Sequence, residues 1–134
     1  MQKEKKKVEV VAAIIKHKNK ILCVQRGENK LSYISNKYEF PGGKIEAGET
    51  REEAIIREIQ EELKMTISTN EDFLTVEHEY PDFFLTMHSY VCSCVDPTVY
   101  LTEHIDYKWL TISELEGLDW AGADIPIVAK LIKV

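Results

Sequence analysis

Apolar runs separated by short polar turns predict a β-sheet in the first part of the chain. Residues 8–15 are rich in Val and Ile, which predicts a buried strand, and residues 20–25 alternate as expected for its hairpin partner. Residues 27–36 are polar and predict a loop. Residues 38–45 predict a short strand that Pro41-Gly42-Gly43 interrupts. This half of the chain therefore starts as a hairpin followed by a broken strand.

The same pattern predicts further strands in the second half. Residues 73–79 and 83–95 indicate a second hairpin, which turns at Tyr80-Pro81-Asp82, and residues 107–110 indicate a last short strand. Tight turns join several neighbouring strands, whereas a helical segment separates the two hairpins. This arrangement predicts a mixed sheet with helices packed on it.

Helical periodicity is clearest in residues 50–63, where Thr50 is a natural N-cap and Glu53 completes a capping box. A helical turn is predicted from Ser113, and residues 124–133 predict a closing helix with Asp124 as its N-cap. We therefore expect one α/β domain over residues 1–134, with residues 1–7 as a flexible tail.

Composition narrows the class of protein. The 134 residues are 44% apolar and 30% charged, as in ordinary globular domains, and the net charge of −6 disfavours binding to a nucleic-acid polymer. We expect no membrane partner, since no apolar run is long enough to span a bilayer, and either a monomer or a homodimer. Three cysteines are too few for a disulfide framework and indicate a cytoplasmic protein. Cys92 and Cys94 are expected to be small apolar side chains on one face of a strand.

An acidic surface is predicted on the helix at residues 50–63. Glu58, Glu61 and Glu62 fall on one face, because positions three and four apart are neighbours on a helix. A separate apolar face comprises Ile55, Ile56, Ile59 and Leu63. Clustered carboxylates repel one another, so either a divalent cation or Arg57, four residues from both Glu53 and Glu61, must offset the repulsion.

The spacing of these residues resembles a known signature. Gly43, then Glu49 after five residues, then Arg57-Glu58-Ile59-Gln60-Glu61-Glu62 after seven more, is similar to the motif of the Nudix hydrolases. Lys64 departs from the motif, which has glycine there. If the left-handed helix end is kept, this lysine costs about 1 kcal/mol.

The resemblance implies an α/β/α sandwich around a central mixed sheet and an enzyme that hydrolyses nucleoside triphosphates. Water would attack the β-phosphorus with Mg²⁺ or Mn²⁺ as cofactor, giving a nucleoside monophosphate and pyrophosphate. The implied metal ligands are Glu58, Glu61, Glu62 and the Gly42 carbonyl, supported by Glu49 and Arg57. Glu103, six residues before Trp109, is a candidate for a further metal ligand or the general base; the alternative is an exposed loop carboxylate.

Similarity beyond the signature points to a small nucleotide substrate. Residues 39–46 resemble MutT-like proteins, whereas residues 10–15, 103–104 and 123–126 resemble a CTP pyrophosphohydrolase subgroup. Phe83 stands where MutT-like proteins have arginine, which weakens the case for a purine. The resulting candidate substrate-binding residues are Arg26, Glu39, Phe40, Pro41, Gly42, Lys44, Phe83 and Asp124.

Asp124 bears most directly on the base, because MutT-like proteins have asparagine there. An ionised carboxylate suits the amino group of cytosine, whereas a protonated one suits oxidised guanine. The sequence thus favours (d)CTP or modified dNTPs, with oxidised dGTP as the alternative. Two rival classes remain: a nucleotide sensor without hydrolysis, and a structural protein whose acidic helix meets a basic partner. His17, His78 and His88 are expected at the surface or in the core, and Tyr80 and Trp120 in the core.

Overall fold

The computed structural model describes residues 5–133. Its elements are, in chain order, β1 (Lys6–His17), β2 (Lys20–Gln25), β3 (Tyr38–Glu39), β4 (Gly42–Lys44), α1 (Arg51–Leu63), β5 (Ile67–Glu79), β6 (Phe83–Cys94), β7 (Asp106–Leu110) and α2 (Ile125–Lys133). Two 3₁₀ turns, Ile112–Gly117 and Gly122–Asp124, precede α2.

One seven-stranded sheet organises the chain, with the order β3-β2-β1-β6-β5; β4 also pairs with β1, and β7 with β2. The central β1 is parallel to β6 and antiparallel to β2 and β4. The predicted mixed sheet is therefore confirmed. The β1–β2 turn consists of Lys18 and Asn19, both with positive φ, which is the geometry of a two-residue hairpin.

Two apolar layers enclose the sheet, which is why β1 is buried on both faces. One face of β1 and β2 packs on α1, through Val11, Ala13, Ile15, Leu22 and Val24 against Ala54, Ile55, Ile59 and Leu63. The opposite face packs on α2, through Ala12, Ile14 and Cys23 against Ile127, Val128 and Leu131. This is the predicted α/β/α sandwich. Ile56 is an exception to the predicted apolar face of α1, since it is 40% exposed.

Helix α1 begins and ends as the sequence predicts. The Thr50 hydroxyl accepts from the Glu53 N–H at 3.1 Å, and the Glu53 carboxylate accepts from the Thr50 N–H at 2.8 Å, so the capping box is confirmed. At the other end Lys64 adopts φ 54° and ψ 37°, and its N–H donates to the Gln60 carbonyl. The lysine therefore keeps the left-handed conformation that favours glycine.

Two predicted strand starts are wrong by two residues or more. Strand β5 begins at Ile67 instead of at residue 73, because irregular pairing between Thr69 and Leu74 breaks the alternation that would identify a strand. Strand β1 begins at Lys6, so part of the predicted tail belongs to the sheet, while residues 1–4 lie outside the described residues. The closing helix, Ile125–Lys133, begins directly after Asp124 and ends at the predicted residue.

Several side chains occupy the positions expected of them. The Tyr80-Pro81-Asp82 turn forms, with the Tyr80 N–H donating to the Phe83 carbonyl at 2.8 Å. Cys92 is buried against the α1 layer, and Cys94 is partly buried beside it on the same face of β6. Among residues 5–133 no helix has the length and apolar character needed to cross a membrane.

Candidate active site

Arg57 organises the acidic face of α1. Its Nε and Nη2 donate to the two oxygens of Glu49 at 2.6 and 2.9 Å, and its Nη1 donates to Glu58 at 2.9 Å and to Glu61 at 3.2 Å. The hydrogen bond from Arg57 lowers the pKa of Glu49. The predicted brace of Glu61 is present. The predicted brace of Glu53 is wrong, since that carboxylate closes the capping box instead.

Two glycines let the backbone approach the acidic face. A Cβ at Gly43 would collide with the Glu58 carboxyl group, and a Cβ at Gly42 would collide with the Val11 backbone. Gly42 pairs with Ala12 in the sheet, and β1 packs so closely against it that no side chain fits at this position. Strand β4 thus lies directly against Glu58.

Glu62 is the buried member of the acidic group. It is only 8% exposed, and within the described chain its Oε2 has no hydrogen-bond partner. Burial, followed by repulsion from Glu58, Glu103 and Glu39, raises the pKa of Glu62 to about 9. A buried carboxylate without a donor, surrounded by other carboxylates, is stabilised by a cation, and hard divalent ions prefer oxygen ligands of this kind. The residues therefore fit a divalent metal ion.

Arg57 competes with such an ion. No three acidic, His or Cys side chains among residues 5–133 converge into a ready-made metal cluster. Glu58 and Glu61 are instead paired with Arg57, and the Glu61 side chain is 60% exposed. Metal binding at this face would require both carboxylates to exchange part of their contact with the guanidinium for contact with the ion.

Glu103 shares a cavity with Glu62. This acidic cavity has a volume of about 250 Å³ and is lined by Arg26, Gly27, Glu28, Asn29, Glu39, Gly42, Glu62, Glu103 and His104. Glu103 is exposed on the segment between β6 and β7. Tertiary structure thus brings this predicted residue next to the carboxylates of α1.

A larger cleft of about 400 Å³ adjoins the acidic cavity. Both are lined by Arg26, Glu39 and Gly42. Four more of the predicted substrate-binding residues line the cleft, namely Phe40, Lys44, Phe83 and Asp124. Pro41 does not line it, and its carbonyl accepts from the Ala13 N–H at 2.8 Å. The volume is in the range of small-molecule sites.

Asp124 lies at the buried end of the cleft. Its Oδ1 accepts from the Phe40 N–H at 3.0 Å. Among the described residues no N–H of the closing helix donates to the Asp124 carboxylate, so its predicted role as N-cap is wrong. Burial and the charge of Glu39 raise the pKa of Asp124 well above its usual range, and the contributions of the Phe40 N–H and Arg26 only partly offset this. Burial in the cleft therefore disfavours the charged form of Asp124.

Glu39 occupies the boundary between the two cavities. Its Oε1 accepts from Arg26 Nε at 2.9 Å and its Oε2 from His104 Nε2 at 3.0 Å. Burial alone would raise the pKa of Glu39, but the hydrogen bonds from His104 and Arg26 outweigh it and lower the pKa. Glu39 is thus held as a carboxylate with both oxygens engaged.

Several residues around the cavities were not predicted. They include His104 beside Glu39, together with Lys6, Val8, Ile34, Leu85 and Met87 in the cleft. These positions come from β1, β6 and two loops, and no local spacing connects them. In the sequence, only the position of His104 directly after Glu103 could have indicated that it belongs to the site.

The remaining aromatic and histidine side chains are mainly structural. Trp120 is buried, stacks on Phe40 with ring centroids 4.8 Å apart, and donates from Nε1 to the Leu115 carbonyl. Tyr80 is also buried, although its ring lines the cleft, and its hydroxyl accepts from the Ala123 N–H. His88 is buried beside Glu9 on the sheet.

Comparison with known proteins identifies the family. Residues 10–130 match the NUDIX domain. The chain is 33% identical over 126 residues to the 8-oxo-dGTP diphosphatase of Escherichia coli strain K12, covering 94% of this chain and 97% of that protein. It is 32% identical over 123 residues to the CTP pyrophosphohydrolase of the same strain, covering 92% and 90%.

A solved structure of a Nudix protein is also similar to this chain. The solution structure of the DNA mismatch repair protein MutT, a Nudix hydrolase from methicillin-resistant Staphylococcus aureus 252, shares 42% identity and a TM-score of 0.74, covering 97% of this chain and 98% of that one. The chain therefore belongs to the Nudix family, as a pyrophosphohydrolase. Nudix hydrolases generally use divalent metal ions, in keeping with the buried Glu62 carboxylate and its acidic neighbours.

Proposed function

We propose that this protein is a Mg²⁺-dependent nucleoside triphosphate pyrophosphohydrolase of the cytoplasm, acting on (d)CTP or on modified or oxidised dNTPs. It would release a nucleoside monophosphate and pyrophosphate and so remove such nucleotides from the pool. The observation that carries the proposal is the adjacency of the two cavities, which share Arg26, Glu39 and Gly42. A base in the cleft leaves its phosphates beside the carboxylates of α1.

The acidic residues divide into two groups in this proposal. Glu58, Glu61, Glu62 and the Gly42 carbonyl hold Mg²⁺, for which Mn²⁺ can substitute, while Glu49 and Arg57 orient that face. When bound, the metal neutralises phosphate charge and lowers the pKa of bound water. Arg26 and Lys44, together with Lys6, supply positive charge to the cleft, and Phe83 offers a partly buried ring to the nucleotide.

Glu103 is the general base in this proposal. It removes a proton from the attacking water, whose oxygen forms the new bond to the β-phosphorus. The bond from that phosphorus to the oxygen bridging to the α-phosphate breaks, and the monophosphate leaves with that oxygen. Its support is the exposed position of Glu103 in the cavity that also contains Glu62. An additional role as metal ligand is compatible with the same position.

The protonation state of Asp124 determines which of two bases its side chain can recognise. Phe40 engages its Oδ1, so Oδ2 is the oxygen left for a ligand. An ionised Oδ2 accepts from the amino group of cytosine, whereas a protonated one donates to the O6 acceptor of oxidised guanine. The raised pKa of Asp124 favours the protonated form, which supports oxidised dGTP as the second candidate substrate. Relatives of both substrate types match at nearly equal identity.

Substitution of Asp124 by asparagine separates these candidates. The side-chain amide introduced by Asp124→Asn keeps an oxygen for the Phe40 N–H and presents N–H donors where a protonated carboxyl presents O–H. If oxidised dGTP is the substrate, its kcat/KM should change less than about threefold, well within 1 kcal/mol. If CTP requires the ionised carboxylate, its kcat/KM should fall at least about tenfold, a loss of ~1.4 kcal/mol. An unchanged ratio of the two substrates would remove Asp124 from base recognition.

A panel of nucleotides tests the activity itself. Pyrophosphate release is measured with Mg²⁺ for CTP, dCTP, oxidised dGTP and the unmodified dNTPs. We expect turnover that EDTA abolishes. Tight binding of a nucleotide without pyrophosphate release would instead support the rival sensor function. No turnover of any nucleotide by the folded protein would refute the proposed substrate class.

A further inference from the structure

The segment that carries Glu103 is attached to the rest of the site on both sides of that residue. The Thr102 hydroxyl donates to the Glu62 carbonyl at 2.8 Å, and the Ile105 N–H donates to the Gln25 carbonyl at 3.0 Å. His104 Nε2 donates to Glu39 at 3.0 Å. These three attachments join the segment to α1, β2 and β3. Glu103 itself is exposed, so its place depends on its neighbours.

His104 is the buried member of these attachments. Its side chain is only 5% exposed, although it belongs to an otherwise exposed segment. Because Nε2 faces a carboxylate oxygen, this nitrogen carries the proton, and the ring orientation is thereby fixed. Its buried Nδ1 has no hydrogen-bond partner, and among the buried side-chain nitrogen and oxygen atoms of the described residues only Glu62 Oε2 is in the same situation. Both side chains line the acidic cavity.

We propose that His104 is a positioning residue, which fixes Glu103 opposite Glu62 by tying the segment between β6 and β7 to Glu39. The proposal deepens the proposed function and rests on it, since it assumes that Glu103 acts on the attacking water. Glu39 suits this purpose because Arg26 holds its other oxygen. A carboxylate held on one side by Arg26, directly after β2, gives the histidine a rigid partner. Misplacement of a reacting group by about 1 Å can cost on the order of 100-fold in rate.

The test compares His104→Phe with a matched control elsewhere in the sheet. His88 is similarly buried, with a side chain 6% exposed, and donates to Glu9 at 2.7 Å outside both cavities. Its Nδ1 also lies 3.0 Å from the Thr75 hydroxyl, so it has one contact more than His104. We expect His104→Phe to lower kcat about 10–100-fold, as for other residues that orient reacting groups. KM should change by a clearly smaller factor than kcat, because Glu103 acts in the transition state and Arg26 still holds Glu39 in the cleft. His88→Phe should lose at least as much thermal stability while keeping kcat.

Two further measurements separate positioning from general destabilisation. Amide hydrogen exchange of Ile105 should be faster in His104→Phe than in wild type, without faster exchange in β1 and β6. In His104→Gln, a side-chain N–H can still reach Glu39, so kcat should recover most of the loss. His104→Asn is too short to do so and should resemble His104→Phe, and it replaces that variant if the phenylalanine protein does not fold.

The outcomes distinguish this inference from the proposed function. If wild type releases no pyrophosphate from any nucleotide, the proposed function fails. If wild type is active but His104→Phe keeps its kcat, the positioning role is refuted. The role is also refuted if His88→Phe loses as much kcat, or if the Gln and Asn variants at His104 have equal kcat.

Discussion

Arg57 offsets much of the repulsion between the carboxylates on the acidic face of α1. Its guanidinium engages Glu49, Glu58 and Glu61, and it also donates to the Lys44 carbonyl at 3.0 Å. The planar fork of arginine is suited to several carboxylates at once, whereas lysine offers a point charge. Arg57 therefore keeps the carboxylates of α1 close together while leaving Glu62 outside its reach.

Glu62→Gln is the most direct test at the scale of the residue. Glutamine has the shape of a protonated Glu62, and the raised pKa of Glu62 indicates that the metal-free protein already holds it mainly in that form. The free energy of unfolding in EDTA should therefore be nearly unchanged. Pyrophosphate release should fall by at least about 100-fold, because transition-state charge loses its stabilisation.

Melting in the presence of metal completes that test. Saturating Mg²⁺ stabilises wild type by mass action, by about 2.7 kcal/mol at 100 times the dissociation constant, and Glu62→Gln should lose most of this effect. Glu116→Gln, an exposed carboxylate outside both cavities, is the control and should behave as wild type. A fully active Glu62→Gln protein would refute the metal assignment. No Mg²⁺ effect on wild-type melting would favour the structural-protein alternative.

At the scale of elements, the end of α1 carries a strained residue. Lys64 has positive φ, and its N–H closes the last turn on Gln60. Met65, buried directly after it, then starts the path to β5. The helix end is thus imposed by the burial of Leu63 and Met65 and by the position of the sheet, against the preference of lysine.

Lys64→Gly should relieve this strain. We expect the free energy of unfolding to rise by about 1 kcal/mol, since glycine has no Cβ to crowd the following carbonyl. Thermal melting should rise by about 3 °C for a domain of this size. Lys64→Ala is the matched control, because alanine retains the Cβ and should give no comparable gain. A stabilisation of equal size in both variants would show that the lysine side chain, and not the backbone conformation, is responsible.

At the scale of the whole molecule, the net negative charge is concentrated on α1 and on the residues just before it. Residues 46–62 contain seven glutamates and two arginines, which accounts for five of the six net negative charges. Folding adds Glu39, Glu103 and Asp124 to this region from distant parts of the chain. Such a concentration opposes folding unless protons, arginine or a cation compensate it.

Asp124 makes stability depend on pH. Its pKa is raised in the folded protein, so the stabilisation from the neutral form is fully present below the ordinary aspartate pKa of about 4 and is lost as pH rises through the raised value. Asp124→Asn keeps a neutral side chain at every pH. The stability of this variant relative to wild type should therefore increase as pH rises from about 4 and level off above the raised pKa.

Chemical denaturation in EDTA over this range measures the difference. Groups common to both proteins, including Glu62, contribute equally and largely cancel. A constant difference between Asp124→Asn and wild type across the whole range would contradict a raised pKa of Asp124.

Sequence alone determined the features that depend on the pattern of neighbouring residues along the chain. Period-two and helical patterns predicted the strands and α1, the capping box predicted its start, and the spacing from Gly43 to Glu62 predicted the family and the acidic face. The irregular start of β5 was missed, because pairing with β6 supports a strand that local alternation does not reveal.

Tertiary structure decided which distant residues meet at the two cavities. Glu39 meets His104 across 65 positions of the chain, and Asp124 meets Phe40 across 84. The charge states of Glu39 and Asp124 depend on these contacts and on burial, which exist only once the sheet and α2 have packed. A pattern of neighbours in sequence specifies which face of an element is buried, but only packing specifies which distant group lies against it.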